Sequence, residues 1–168
     1  GIVTENDLLN ASPSRVTTLS IWEMNYLISK VLIKNVMTKK VITVDKDTPI
    51  EEAARIMADK KLGGLPVTSL GKVVGIITET DLFKIFLELM GARQKALRVT
   101  ATLEDKPGQL AKLTRAIAHA GGNFISFGMF SGPDANTRLV TFKIEGMNKN
   151  AIKEALEPIV VKFWDIRL

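Results

Sequence analysis

The chain has 168 residues, of which 46% are hydrophobic and 24% are charged, and its formal net charge is +5. This composition is typical of a globular protein with one or two domains and excludes the disordered class. The sequence has no cysteine and a single histidine, His119, which excludes disulfides and thiolate chemistry and argues against a histidine-based metal site. We therefore predict neither a metal nor a cofactor.

The basic residues are scattered along the chain, and no aromatic residues alternate with them as they would on a nucleic-acid surface. No apolar stretch approaches the roughly 20 residues that a membrane span requires, and no signal peptide is visible. We therefore expect a cytoplasmic protein that binds neither nucleic acid nor membrane.

An eight-residue phrase occurs twice, as GIVTENDL at residues 1–8 and as GIITETDL at residues 75–82, with six positions identical. Each copy predicts an apolar strand that ends where a helix begins, with a threonine as the N-cap and an aspartate as the third helical residue. The predicted pairs are Thr4 with Asp7 and Thr78 with Asp81. Because a repeated supersecondary unit buries a face against its copy, we predict two modules of one kind.

The residues ahead of the second phrase complete one such module. In chain order they predict a strand at 41–44, a helix capped by Thr48 that runs to about Lys60, and a hairpin of strands at 65–68 and 72–77. With the helix of the second phrase, the order is βαββα. Gly1 falls where a first module would be about two-thirds complete by the same pattern, so we expect that module to be incomplete in this chain.

The spacing of glycine, two apolar residues and Thr-x-x-Asp resembles the signature of cystathionine-β-synthase-type (CBS) domains. In that family the aspartate holds the ribose hydroxyls of an adenosine nucleotide, and the threonine lies near the ribose and phosphate. The resemblance implies an adenine nucleotide as a regulatory ligand. The nucleotide-binding residues it implies are Thr4, Asp7, Thr78 and Asp81, with Ile42, Thr43, Pro66 and Val67 along the adenine edge. AMP, ADP, ATP and S-adenosylmethionine remain open, as do the phosphate partners Lys39, Lys40, Arg55 and Lys60.

Two helices between and after the phrases carry many apolar residues. Ser20 and Glu23 predict a capping box that opens a helix to about Lys30, after a turn-rich stretch at 10–14. We expect Trp22 to pack against the modules. The helix after the second phrase is apolar almost all round, so we expect it to be buried on more than one side and predict a homodimer.

A second pattern begins after a polar linker at 92–96. Alternating apolar residues predict strands at 97–103, 123–130, 138–144 and 160–166, with one helix that carries Leu110, Leu113 and Ile117 and another at 148–156. The order βαββαβ is the ferredoxin-like split pattern.

The phrase Asp105-Lys106-Pro107-Gly108-x-Leu110, followed by Gly122-Asn123-Phe124-Ile125, closely resembles an ACT domain, a small module that senses amino acids. Effectors in that family lie where the loop before the first helix faces the second strand, usually across a dimer. The matching positions are Asp105, Gly108 and Asn123. An effector carboxylate would accept N–H groups at the helix N-terminus, and its ammonium would need an acceptor such as Asp105.

Two CBS modules followed by an ACT domain resemble the acetoin-utilisation protein B family of bacteria and archaea. The implied architecture is a mixed α+β and α/β chain with these segments: 1–18, the end of the first CBS module; 19–33, a helical connector; 34–91, the second CBS module; 92–96, a linker; and 97–168, a ferredoxin-like ACT domain.

The resemblance implies a regulatory ligand sensor that forms a homodimer, binds an adenine nucleotide and an amino-acid effector, and is linked to acetoin or central carbon metabolism through a metabolic enzyme partner. The alternative is a dimeric interaction scaffold without a small-molecule ligand. We do not expect an enzyme, because the sequence offers no histidine dyad, no P-loop and no nucleophile with a neighbouring base.

Overall fold

A computed structural model describes residues 1–12 and 18–168, which form two compact units, Gly1–Thr78 and Glu79–Leu168. The predicted turn at 10–14 lies partly outside the described residues. The elements in chain order are α1 Glu5–Ala11, α2 Ile21–Ser29, α3 Ile33–Val36, β1 Val44–Asp45, α4 Ile50–Lys60, β2 Gly64–Ser69, β3 Lys72–Thr78, α5 Glu79–Leu89, β4 Leu97–Glu104, α6 Gln109–His119, β5 Asn123–Ser131, β6 Thr137–Glu145, α7 Lys149–Leu156 and β7 Lys162–Arg167.

The first unit is built on a three-stranded sheet in the order β1-β2-β3. β1 runs parallel to β2, and β2 runs antiparallel to β3. The turn between β2 and β3 places Leu70 and Gly71 at φ of 49° and 75°, the two left-handed positions that a tight hairpin turn requires. The predicted hairpin is therefore confirmed, and the buried side chains behind it are Val44, Ala53, Met57 and Leu65.

Two predicted details of this unit are wrong. The strand expected at 41–44 is only the two residues of β1, because parallel pairing with β2 begins at Val44. Thr48 does not cap α4: the N-cap is Pro49, without a side-chain hydrogen bond. The Thr48 N–H instead donates to the Asp45 carbonyl at 3.0 Å, so that residue belongs to the turn before the helix.

Both predicted capping boxes of the N-terminal part are present. Thr4 and Asp7 close the first turn of α1, and Ser20 and Glu23 close that of α2. The expected packing of α2 is wrong, since none of its residues is buried and Trp22 is 85% exposed. Its apolar side chains are not covered by the part of the chain that the structure describes.

The second unit contains a four-stranded antiparallel sheet in the order β5-β6-β4-β7. Together with the element order β4, α6, β5, β6, α7, β7, this is the predicted ferredoxin-like arrangement. Alternate residues of β4 and β6 meet the two helices in one core. Its fully buried members include Val99, Leu103, Leu113, Ile117, Phe142 and Ile152.

The end of α5 is anchored to this sheet. The Ser126 hydroxyl donates to the Met90 carbonyl at 3.1 Å. The Lys143 ammonium donates to the Gly91 and Gln94 carbonyls, both at 2.8 Å. Met90, Gly91 and Gln94 belong to the turn that follows α5. The Gly91 carbonyl also accepts from the Gln94 N–H at 3.1 Å, so Ser126 and Lys143 add bonds between this turn and the sheet. The predicted linker therefore begins as a turn fixed to β5 and β6.

The apolar residues of α5 are more exposed than predicted. Phe83 is 67% exposed, Phe86 54% and Leu89 66%, and none of the residues of this helix is buried. The described residues of the chain therefore do not bury α5 on more than one side, as was predicted for this helix.

Candidate functional site

The first unit has a cavity of about 370 Å³ that is partly open to solvent. Its wall comes from three places: the first copy of the phrase, the segment after α3, and the passage from α4 into β2. The lining residues are Ile2, Thr4, Asn6, Asp7, Thr38, Lys40, Val41, Ile42, Lys61, Leu62, Gly63, Gly64 and Pro66. The volume lies within the range of about 300 to 1,000 Å³ that is usual for small-molecule sites.

A backbone bridge brings the first phrase to this wall. The Ile2 N–H donates to the Thr38 carbonyl at 3.0 Å, and the Thr38 N–H donates to the Ile2 carbonyl at 2.9 Å. Since these two bonds pair the chain around both residues, Thr4 follows directly beside the segment that leads to Ile42. Two hydrogen bonds therefore bring the first phrase to a wall whose other residues are distant in sequence.

The Asp7 carboxylate is held in place by its own helix cap. Its Oδ2 accepts from both the backbone N–H and the hydroxyl of Thr4 at 2.8 Å, and the Asp7 N–H donates to Thr4 Oγ1 at 3.4 Å. The hydrogen bond from the Thr4 hydroxyl, followed by that from its backbone N–H, lowers the pKa of Asp7 below 3.8. A fixed, ionised carboxylate thus lines the cavity.

The structure brings together four of the eight residues predicted to bind the nucleotide. They are Thr4, Asp7, Ile42 and Pro66.

The other four do not line this cavity. Val67 pairs with Val44 in the sheet. Thr43, the residue before Val44, is exposed. Thr78 ends β3 opposite Gly64. Asp81 lies in the first turn of α5, with its carboxylate 3.9 Å from the Lys84 ammonium.

Lys61 lines the cavity together with Lys40, although the sequence analysis did not name Lys61 as a candidate binding residue. Of the four phosphate partners left open, Lys40 alone is on the wall. Arg55 is engaged by Glu52 and by Asp59, the latter at 3.0 Å. The signal for Lys61 is its place at the end of α4, two residues before Gly63 and Gly64, but its left-handed backbone is not visible in the sequence.

Two of the predicted effector residues of the second unit, Asp105 and Asn123, do not meet within one chain. Glu104, beside Asp105, pairs with Thr137 at the start of β6, whereas Asn123 pairs with Glu145 at its end. At about 3.3 Å per residue these positions are roughly 26 Å apart.

Each of these residues also has a local role. Asp105 forms an ion pair with Arg138 at 2.9 Å, so an effector ammonium would have to compete for that carboxylate. The Asn123 amide donates to Glu145 at 3.0 Å. Gly108 is the N-cap of α6 at φ 84°, a conformation that favours glycine.

Within residues 1–12 and 18–168, no helix is long and apolar enough to cross a membrane. The same residues contain no cluster of three or more histidine, cysteine or acidic side chains suited to a metal ion.

Comparison with known proteins identifies one family. Residues 33–88 match the family model described as CBS domain. An uncharacterized protein of Methanopyrus kandleri, MK0525, is 30% identical over 86 residues, which are 51% of this chain and 39% of that protein. The CBS domain-containing protein DDB_G0289609 of Dictyostelium discoideum is 26% identical over 91 residues, which are 54% of this chain and 63% of that protein. The chain thus spans less than two-thirds of the length of either relative.

Among solved structures, the CBS domain pair of protein MJ0100 in complex with 5′-methylthioadenosine and S-adenosyl-L-methionine is 29% identical. The superposition covers 44% of this chain and 58% of the chain of that structure, with a TM-score of 0.34. A superposition at that score establishes no detail of this fold or site, so the family match carries the assignment. The chain contains a CBS domain over residues 33–88.

Proposed function

We propose that the protein is a non-catalytic regulatory sensor that binds an adenosine nucleotide in the cavity of the first unit. The observation that carries the proposal is the meeting of Thr4 and Asp7, from the repeated phrase, with Ile42 and Pro66 in one cavity. The CBS domain over residues 33–88 contributes Ile42 and Pro66 to this cavity. The phrase that carries Asp7 lies ahead of that domain and repeats the phrase inside it, in which the resemblance implies an aspartate that holds the ribose.

Each part of the cavity fits one part of the ligand. The Asp7 carboxylate is ionised and can accept the two ribose hydroxyls in charge-assisted hydrogen bonds. Ile42 and Pro66 offer an apolar surface for the adenine ring. Gly63 and Gly64 line the same wall without side chains, so a ring can approach the backbone there.

The test is a thermal-shift and calorimetric titration of the whole chain with AMP, ADP, ATP and S-adenosylmethionine. A ligand at 100 times its Kd stabilises the folded state by about 2.7 kcal/mol. We expect Asp7→Asn to weaken binding by about tenfold or more, because the amide loses the charge of the acceptor. Asparagine keeps a side-chain oxygen for the helix cap, so the fold should persist.

Asp81→Asn is the matched control, since it makes the same change in the other copy of the phrase. It should leave the affinity for this cavity unchanged. Loss of binding in Asp81→Asn with full binding in Asp7→Asn would move the site to the second phrase. No response to any of the four ligands would favour the interaction scaffold.

A second proposal concerns an amino-acid effector at the second unit, bound between two copies of the chain. β5 is an edge strand of its sheet. If two β5 strands pair antiparallel, Asn123 of one copy lies beside Ser131 of the other, and Ser131 pairs with Arg138, the partner of Asp105. The two halves of the site, which are roughly 26 Å apart within one chain, would then lie next to each other across the dimer. The link to acetoin or central carbon metabolism and to a metabolic enzyme stays a prediction from the resemblance.

Sedimentation velocity in the presence of each common amino acid tests this proposal. We expect one of them to raise the dimer fraction, and Asn123→Ala to abolish the response. Asn150→Ala is the control: it removes an exposed asparagine amide from α7, and the dimer fraction of this variant should still respond to the amino acid. A full response in Asn123→Ala would place the effector elsewhere.

A further inference from the structure

The helix α2 of the first unit is short and lacks tertiary cover. None of its nine residues is buried, and Met24 alone among them is half-buried. Isolated helices shorter than about 12 to 15 residues are marginal in water, because most helix stability in proteins comes from the packing of an apolar face. The capping box of Ser20 and Glu23 fixes where α2 begins but does not replace that packing. A persistent α2 therefore needs a partner that the described residues do not supply.

One side of α2 is a stripe of exposed aromatic and aliphatic side chains. Trp22 and Tyr26 are four positions apart, so they lie on one face of the helix, with Leu27 at its edge. Trp22 is 85% exposed, Tyr26 62% and Leu27 46%. All three line a surface groove of about 420 Å³. Because tryptophan and tyrosine are the side chains that most often anchor protein interfaces, this stripe is suited to a protein partner.

The exposed apolar surface around α2 has the size that a stable contact requires. Eight large apolar residues between positions 21 and 33 are exposed by 40% to 85%. At roughly 150 to 250 Å² for a fully exposed large side chain, they present on the order of 800 Å². Monomeric proteins rarely expose patches beyond a few hundred Å², and a stable interface buries about 800 Å² on each partner. The surface is thus large enough for a dimer contact.

The charged residues of α2 favour a second copy of the same helix as the partner. Glu23 and Lys30 are seven positions apart, close to two helical turns, so they lie on one side of the helix. The Lys30 ammonium lies 5.1 Å from the centre of the Tyr26 ring, which places this charge at the stripe. Both capping bonds to Glu23 go to Oε2, and neither uses Oε1. The stripe therefore has an acidic group near one end and a basic group near the other.

We propose that two copies of α2 pack antiparallel about a two-fold axis that passes between Tyr26 and Leu27. A two-fold contact is self-complementary, and this axis also lies midway between Glu23 and Lys30. Glu23 of one protomer then faces the partner's Lys30, and its own Lys30 faces the partner's Glu23. Parallel pairing would instead place like charges side by side, so the charges select the antiparallel orientation. The contact belongs to the first unit and does not depend on the nucleotide site.

Disulfide cross-linking tests this orientation, because the chain has no cysteine of its own. Full-length Glu23→Cys and Lys30→Cys variants are oxidised separately and as an equal mixture. In the antiparallel pair each new cysteine lies about 10 Å along the helix from its own counterpart, beyond the roughly 7 Å between Cα atoms that a disulfide spans. Cysteines 23 and 30 of the mixed dimer face each other, and its second Glu23–Lys30 pair is retained. We expect at least tenfold more cross-linked dimer in the mixture than in either variant alone.

Sedimentation velocity over a concentration series measures how much the contact contributes. Trp22→Ser should raise the dimer Kd about tenfold or more, since it removes the most exposed anchor of the stripe. Lys30→Glu should raise it several-fold, because two glutamates then face each other at both ends of the contact. Lys72→Glu is the control: it makes the same charge change at an exposed lysine of β3 and should leave the Kd unchanged.

Three results would overturn the proposal. Cross-linking in either variant alone would show parallel pairing of α2. Absence of cross-linking in the mixture would assign the stripe to a different partner, whatever the oligomeric state of the chain. A dimer Kd that is the same for Trp22→Ser and the unmodified chain would place the contact on another surface.

Discussion

The two threonine–aspartate pairs of the repeat have the same residue types in different surroundings. Asp7 accepts two hydrogen bonds from Thr4 and lines a cavity. Asp81 lies 3.9 Å from a lysine of its own helix and does not line that cavity. A motif repeated along the chain therefore presents one carboxylate to a cavity and leaves the other beside a cation. The neighbours of each aspartate, rather than the motif, decide what it can bind.

The lowered pKa of Asp7 gives a prediction for the pH dependence of binding. Because Thr4 hydrogen-bonds to the charged form, the folded-state pKa lies below 3.8. The contribution of this carboxylate to stability is complete above its unfolded value and is lost as the pH falls through the folded one. The affinity for adenosine should therefore be constant from about pH 8 to 5 and fall only below 3.8.

Adenosine is preferred to AMP as the probe, because a phosphate monoester titrates near pH 6 and would add its own dependence. Asp7→Asn is the control, since the adenine ring is itself protonated in the acidic range and only a fall that the variant lacks belongs to Asp7. Binding measured by calorimetry at a series of pH values checks the prediction. A midpoint for adenosine near pH 6 would show that another group controls the site.

At the scale of elements, α5 begins at the second copy of the phrase and ends on the sheet of the second unit. Carbonyls of the turn that follows α5 accept from Ser126 and Lys143. Gly91 is buried at φ 56°, and a Cβ there would approach Ile125 at 3.0 Å. The helix end is thus tied to β5 and β6 by a left-handed glycine and two side-chain donors.

Lys143→Met should loosen this anchor. The change removes two hydrogen bonds from a charged donor, so we expect it to lower the free energy of unfolding by about 1 to 2 kcal/mol. Amide hydrogen exchange in the turn after α5 should become faster, because Lys143 no longer fixes the Gly91 and Gln94 carbonyls to the sheet. Urea unfolding followed by hydrogen exchange checks both effects.

Lys112→Met is the control for this variant. It removes an exposed lysine of α6, and its effect should stay within about 0.5 kcal/mol. Equal stability of Lys143→Met and Lys112→Met would show that the anchor contributes nothing.

At the scale of the whole molecule, each unit leaves apolar surface exposed. Trp22 is 85% exposed in the first unit and Phe83 67% in the second. Met129 and Phe130, on the edge strand β5, are 43% and 48% exposed. Exposed apolar groups and an open strand edge favour association with another chain. These surfaces support the predicted homodimer and equally suit the interaction scaffold.

A charge on the open edge should oppose pairing of two β5 strands. We expect Met129→Lys to lower the dimer fraction and to abolish its response to an amino-acid effector. Val161→Lys adds the same charge at a side chain that is 58% exposed and lies outside β5, and should change neither. Sedimentation velocity of both variants measures the effect. A dimer unaffected by Met129→Lys would place the contact on another surface, with the exposed helices as the next candidates.

Local sequence patterns determined most of the elements. The capping boxes at Thr4 and Ser20, the left-handed hairpin turn at Leu70 and the alternation of β4 are each set by residues within a few positions of one another. Hydrophobic periodicity and turn chemistry are signals of that range, so the βαββαβ order of the second unit was also predictable. The capping role predicted for Thr48 was wrong, because α4 begins one residue later, with Pro49 as its N-cap.

The tertiary structure alone decided which of the predicted residues meet. The bridge between Ile2 and Thr38 brings Asp7 to the wall of Ile42, whereas the antiparallel register of β6 keeps Asp105 and Asn123 apart. Long-range pairing depends on hydrogen bonds between segments that no local pattern relates. The sequence by itself thus determined most of the elements and their order, and it predicted which residues are candidates for a site. Only the fold decided which copy of the phrase lines the cavity and that Lys61 lies beside it.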